Sequence, residues 1–101
     1  MVYTPYVGLA YTHFFSGRYA EAVSAAGRAL QANPRFSVPA FLRTAALASL
    51  ERKAEAAASA RHLLELQPGF TIASLVESNF TAPARLAMLA EALGRAGVPE
   101  R

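Results

Sequence analysis

Cysteine is missing from this chain, which removes disulfides, thiolate zinc sites and cysteine nucleophiles and leaves the redox compartment undetermined. Aspartate is missing too: seven glutamates face nine arginines and a single lysine, for a net charge of +3. An excess this small, spread from Arg18 to Arg101 without a run, describes a solvated surface and disfavours nucleic acid as a partner. No apolar run reaches the roughly 18 residues that a membrane-spanning helix needs. The N-terminal stretch MVYTPYVGLAYTHFF has no basic leader region and carries Pro5 early, so it does not read as a signal peptide. The expected location is the cytoplasm, with no membrane insertion.

Chemistry-bearing residues are equally sparse. The two histidines, His13 and His62, fall on different helices with no carboxylate at ligand spacing, so no metal site is expected. His13 is expected to pack and hydrogen-bond, and His62 to be exposed. No serine sits in a Gly-x-Ser-x-Gly context, and there is no phosphate-binding glycine loop. The glutamates offer no acid/base pair; Glu21 and Glu55 look structural. Asn79-Phe80-Thr81 matches a glycosylation sequon, which has no meaning without secretion. Neither a cofactor nor catalysis within these residues is expected.

What the sequence does contain is apolar mass and a repeat. Apolar residues make up 53% of the 101 and charged ones 17%, which suits one small folded domain. Shifting the chain by 34 residues pairs GRYAEAVSAAGRALQANP (17–34) with ERKAEAAASARHLLELQP (51–68), with seven of 18 positions identical. The flanks agree: Pro5 pairs with Pro39, and Asn33-Pro34-Arg35-Phe36-Ser37-Val38 with Gln67-Pro68-Gly69-Phe70-Thr71-Ile72. A fixed period of this length points to a repeat architecture.

Each Pro-x-Phe-Ser/Thr junction has a mechanical reading. Proline ends the preceding helix. Ser37 and Thr71 then serve as N-caps, with Phe36 and Phe41, and Phe70 and Leu75, at the spacing of a hydrophobic staple. Helices are expected over 4–16, 19–32, 37–50 and 53–66, with tight turns at Ser16-Gly17-Arg18 and Glu51-Arg52. Ala20, Ala22, Ala26 and Ala29 recur along one stripe of the second helix, where small side chains let neighbouring helices approach closely. The remainder starts as a third unit: a short helix over 72–78, a break at Asn79-Phe80, Thr81 as a cap, and a helix from Pro83 to about Ala96. That last helix is apolar at Leu86, Leu89, Ala90 and Leu93 and stops at Gly97 and Pro99.

Leu9-Ala10, Gly17-x-Tyr19-x-Glu21-Ala22, Ala26, Ala29-Leu30 and Pro34, in one period, resemble a tetratricopeptide repeat (TPR). The second unit keeps Glu55-Ala56, Ala60, Leu63-Leu64 and Pro68 and departs at Ala40, Arg43 and Glu51, where the family has a bulky residue, a leucine and the turn glycine. The resemblance implies an all-α fold, a right-handed superhelical stack of antiparallel helix pairs (a TPR-like α-solenoid). It divides a single domain, 1–101, into repeat one (3–36), repeat two (37–70) and a degenerate third unit or cap (71–98). In such a stack the first helix of each unit lines a concave face that takes peptides or helices. The candidate partner-binding residues are therefore Val7, Tyr11 and Phe15 from one unit and Phe41, Leu42 and Ala45 from the next. Gly8 and Ser49 flank them, and Arg35 and Arg43 are available to acidic groups. The lysine/asparagine set with which some TPRs clamp a terminal carboxylate is missing.

The tail also resembles the extreme C-termini of bacterial proteins that carry an adenylate/guanylate cyclase or winged-helix domain ahead of terminal TPRs. That implies a longer protein, with Met1 an internal boundary. Tyr3, Tyr6, Tyr11, Phe14 and Phe15 are too many aromatics for one partner helix to bury, so an upstream repeat, a second copy or a ligand is expected to cover them. The functional expectation is a non-catalytic protein-interaction module of a cyclase-type signalling protein, binding a protein or peptide. It would form homodimers through the uncapped first helix or the concave face. The alternative is a helical-repeat regulator binding nucleic acid, or a stand-alone adaptor.

Overall fold

The computed structural model describes residues 5–101; Tyr3 lies outside them. Six helices follow one another: α1 (Pro5–Phe15), α2 (Tyr19–Ala32), α3 (Ser37–Ser49), α4 (Lys53–Leu66), α5 (Ile72–Glu77) and α6 (Pro83–Arg95). No strand occurs among the described residues. Every helix boundary falls within about a residue of its expected position.

The repeat is visible in backbone angles. Arg18 and Arg52, one period apart, precede α2 and α4 with φ/ψ of −92/71° and −87/74°. Asn33 and Gln67 close those helices at −145/84° and −141/84°. Each stands before a proline, which bars the helical region to its predecessor. The turns between the paired helices also share a geometry. Gly17 has a φ of +80°, Arg18 N–H donates to the His13 carbonyl at 2.9 Å, and Gly17 N–H donates to that of Phe14 at 3.1 Å. One period later Glu51 adopts a φ of +61°, with Arg52 bonding back to Leu47 and Glu51 to Ala48 at 3.1 and 3.0 Å. This six-to-one and five-to-two pairing is the left-handed helix stop that glycine favours. Glu51 makes the same turn without being glycine.

Two caps differ from expectation. Thr71 caps α5, accepting from Ser74 N–H while the Ser74 hydroxyl accepts from Thr71 N–H, both at 3.0 Å. Ser37 does not cap α3: it is the first helical residue, and Phe36 takes the cap position with no side-chain bond. Pro39 then falls third in the helix, where the capped donor normally sits, and has no N–H to offer a hydroxyl. Phe36 stays 37% exposed, and its expected staple partner Phe41 stacks on Phe70 instead, ring centres 5.6 Å apart.

Core packing centres on α3. Pro39, Ala40, Phe41, Leu42 and Thr44 to Ala48 are all buried, because α1, α2, α4 and α6 all touch this helix. A helix apolar on every side is one with neighbours on every side. The stripe of α2 packs through Ala22, Ala25, Ala26 and Ala29. Ala20 is exposed, lying two residues and so about 200° from Ala22 around the helix. Thr44 donates to the Ala40 carbonyl at 2.8 Å and shares a 2.7 Å hydroxyl bond with Ser59, stitching α3 to α4. The described residues measure 32 × 28 × 25 Å, with α6 lying against α3.

The tail closes on itself. α6 ends at Gly97 (φ +95°), whose successor Val98 is buried and bonds back to the Leu93 carbonyl at 3.1 Å. The chain then returns to the start of α5, where Ile72 and Ala73 N–H donate to the Pro99 and Glu100 carbonyls, each at 2.9 Å. With the Thr71–Ser74 box, the first amide donors of α5 are satisfied.

Candidate partner-binding site

Tyr11 and Phe15 stand one turn apart on α1 and share a face. Their rings meet edge-on, centres 4.8 Å apart, and Phe15 leans on the buried Phe14 at 4.9 Å. Both remain half-buried. The break between α5 and α6 covers them. Phe80 inserts edge-on against Tyr11 at 5.9 Å and against Phe41 of α3 at 5.2 Å. Thr81, next in line, holds the Tyr11 phenol at 2.6 Å through its hydroxyl.

Arg85 completes the cluster. Its guanidinium carbon lies 5.6 Å from the Phe15 ring centre and 5.9 Å from that of Tyr11, and Nη1 donates to the Tyr11 oxygen at 3.4 Å. With that oxygen accepting from Arg85, its own hydrogen is left for Thr81. The site is a strip of π faces on α1 and α3, met by a wedge and a hydroxyl from the α5–α6 break and a cation from the first turn of α6. Beside it opens a cleft of about 330 Å³ floored by Phe41, Phe70, Phe80 and Leu75, with Ser74 and Ser78 among its other residues.

These contacts answer what covers the aromatics of the first helix. The expectation was an upstream repeat, a second copy or a ligand. Among the described residues the chain's own 80–85 segment covers Tyr11 and Phe15. Phe14 is core, and Arg28 lies 5.6 Å from the ring centre of Tyr6.

The sequence-derived candidates divide accordingly. Tyr11, Phe15 and Phe41 are gathered around Phe80. Val7 is half-buried on α1 and Arg35 exposed in the α2–α3 connection. Leu42 and Ala45 are fully buried, so in this arrangement they belong to the core, and no surface partner reaches them. Gly8 is exposed and Ser49 half-buried. Thr81, expected to cap α6, gives its hydroxyl to Tyr11, and Ala82 occupies the cap position without a side-chain bond. Phe80, Thr81 and Arg85 were missed as site residues. The available signals were an aromatic in a polar break and an arginine on the first turn of an otherwise alanine- and leucine-rich helix.

Elsewhere the polar residues have local roles. His13 accepts from Arg18 Nε at 3.0 Å. Glu55 takes two 2.7 Å bonds from Arg52 at the start of α4. His62 is half-buried rather than exposed, because it lines a cleft of about 180 Å³ with Arg43, Glu55, Ala58 and Ser59. Arg43 buries its Nε there without a hydrogen-bond partner. Among the described residues no three histidine or glutamate side chains gather as metal ligands, and no helix is long and apolar enough to cross a membrane.

No family model, no curated protein and no solved structure matches this chain.

Proposed function

We propose that this chain is a non-catalytic protein–protein interaction module of the TPR type. The observation that carries the reading is the π strip of Tyr11, Phe15 and Phe41, which receives the α5–α6 break and the first turn of α6. Aromatic rings with a phenol handle are the residues on which interfaces concentrate their binding energy. The 34-residue period and the matched turns of its two units support the repeat assignment. The likeness of the tail to the ends of bacterial cyclase-type signalling proteins supports a place at the C-terminal end of such a protein, in the cytoplasm. Chemistry would then reside in an upstream domain, and the repeats would serve self-association or partner capture.

The test uses the segment already known to fit. The chain is refolded from urea in excess labelled peptide of residues 78–101, then passed over a sizing column. Label retained with the folded chain, and lost when Phe15→Ala is used, is the expected outcome. A folded chain carrying no label would refute a helix-binding surface.

A further inference from the structure

We propose that two copies of this chain associate by exchanging α6, each inserting residues 80–101 into the α1/α3 surface of the other. This rests on reading that surface as a helix-binding one and names its partner: a second copy. The reasons lie in how residues 80–101 are attached. They reach the rest of the chain through the Phe80–Thr81–Arg85 cluster on Tyr11, Phe15 and Phe41. The apolar face of Leu86, Leu89, Ala92 and Leu93 joins the same core as α3. The Pro99 and Glu100 carbonyls meet the start of α5.

Each of these contacts joins groups on opposite sides of the 77–79 linker, and none depends on both belonging to one polypeptide. Exchange therefore keeps all of them and alters the linker alone. The linker also carries a turn that exchange would open. Among the described residues Asn79 is one of two non-glycine residues with positive φ, at +54°, and Glu77 to Asn79 are exposed. An opened linker lets Asn79 return to an ordinary extended conformation. The closed monomer and the exchanged dimer thus have the same contacts and differ in the backbone of a few solvated residues.

Two substitutions at Asn79 separate these states. Proline holds φ near −65° and disfavours a helical Ser78 before it, so Asn79→Pro excludes the closed turn while permitting an extended linker. Asn79→Gly eases the closed turn. By light scattering on the folded, purified chains, Asn79→Pro is expected to double the mass from 10.8 kDa, with Asn79→Gly remaining monomeric. A folded, monomeric Asn79→Pro chain overturns the exchange. If that variant fails to fold, the wild-type chain refolded from urea at high concentration decides: a dimer that persists on dilution supports exchange, and strict monomer overturns it. Retention of the 78–101 peptide without any such dimer leaves a foreign amphipathic helix as the occupant. Loss of both removes the helix-binding reading as well.

Discussion

Glu51 sits where its counterpart one period earlier is Gly17, and the two turns have the same hydrogen bonds. An L-residue in the left-handed region costs about 1–2 kcal/mol. Replacing Glu51 by glycine removes that cost but adds unfolded-state freedom worth about 0.4–1 kcal/mol. It also removes a carboxylate just ahead of α4, worth a few tenths of a kcal/mol at an exposed helix start. The balance for Glu51→Gly is a gain of about 0.5 kcal/mol, or roughly 2–4 °C in melting temperature for a domain of this size. Gly17→Glu runs the same sum backwards. A Cβ at Gly17 meets nothing within 4 Å, so its cost is conformational and not steric. The expected loss is again about 0.5–1 kcal/mol. Thermal unfolding followed by far-ultraviolet circular dichroism reads both. Opposite signs are the prediction. If Glu51→Gly lowers the midpoint, or both changes move it the same way, the left-handed turn at Glu51 is not a strained one.

Other expectations follow from the packing. Ala22→Leu and Ala56→Leu overpack a fully buried crossing and should each cost about 1–3 kcal/mol; unchanged urea midpoints would show that the crossings are loose. Removing residues 98–101 exposes the pocket of Val98 and frees two α5 amides, a loss of about 2–4 kcal/mol. Hydrogen exchange at Ile72 and Ala73 should accelerate first. Tyr11→Phe keeps the ring contacts and removes the hydroxyl shared with Thr81 and Arg85. It should cost about 1 kcal/mol, and a midpoint as low as that of Tyr11→Ala would mean the ring contributes nothing.

The helices were legible because proline and glycine mark their ends: Pro34 and Pro68 stop α2 and α4, and Gly17 and Gly97 stop α1 and α6. Ser37 and Thr71 both read as caps and only Thr71 is one, since Pro39 changes which donors of α3 need capping. Ala20 fell into the wrong stripe because alanine occurs all round α2, and only packing shows which side is covered. The larger miss concerns α6. Its amphipathic face could be read, yet nothing local says which groove it enters, and Leu42 and Ala45, expected at the surface, lie in the core around α3, which touches four other helices. Phe80 and Thr81 read as punctuation because the partners that use them, Tyr11 and Phe41, lie 69 and 39 positions away.

The bonds from Ile72 and Ala73 to Pro99 and Glu100 set an order of events during synthesis. Chains fold from the N-terminus as they leave the ribosome, so α1 to α4 can assemble while the acceptors for α5 are still in the exit tunnel. For that interval Tyr11, Phe15 and Phe41 are uncovered. Two nascent chains on one messenger RNA then sit side by side, each with an open groove and a closing segment still to come.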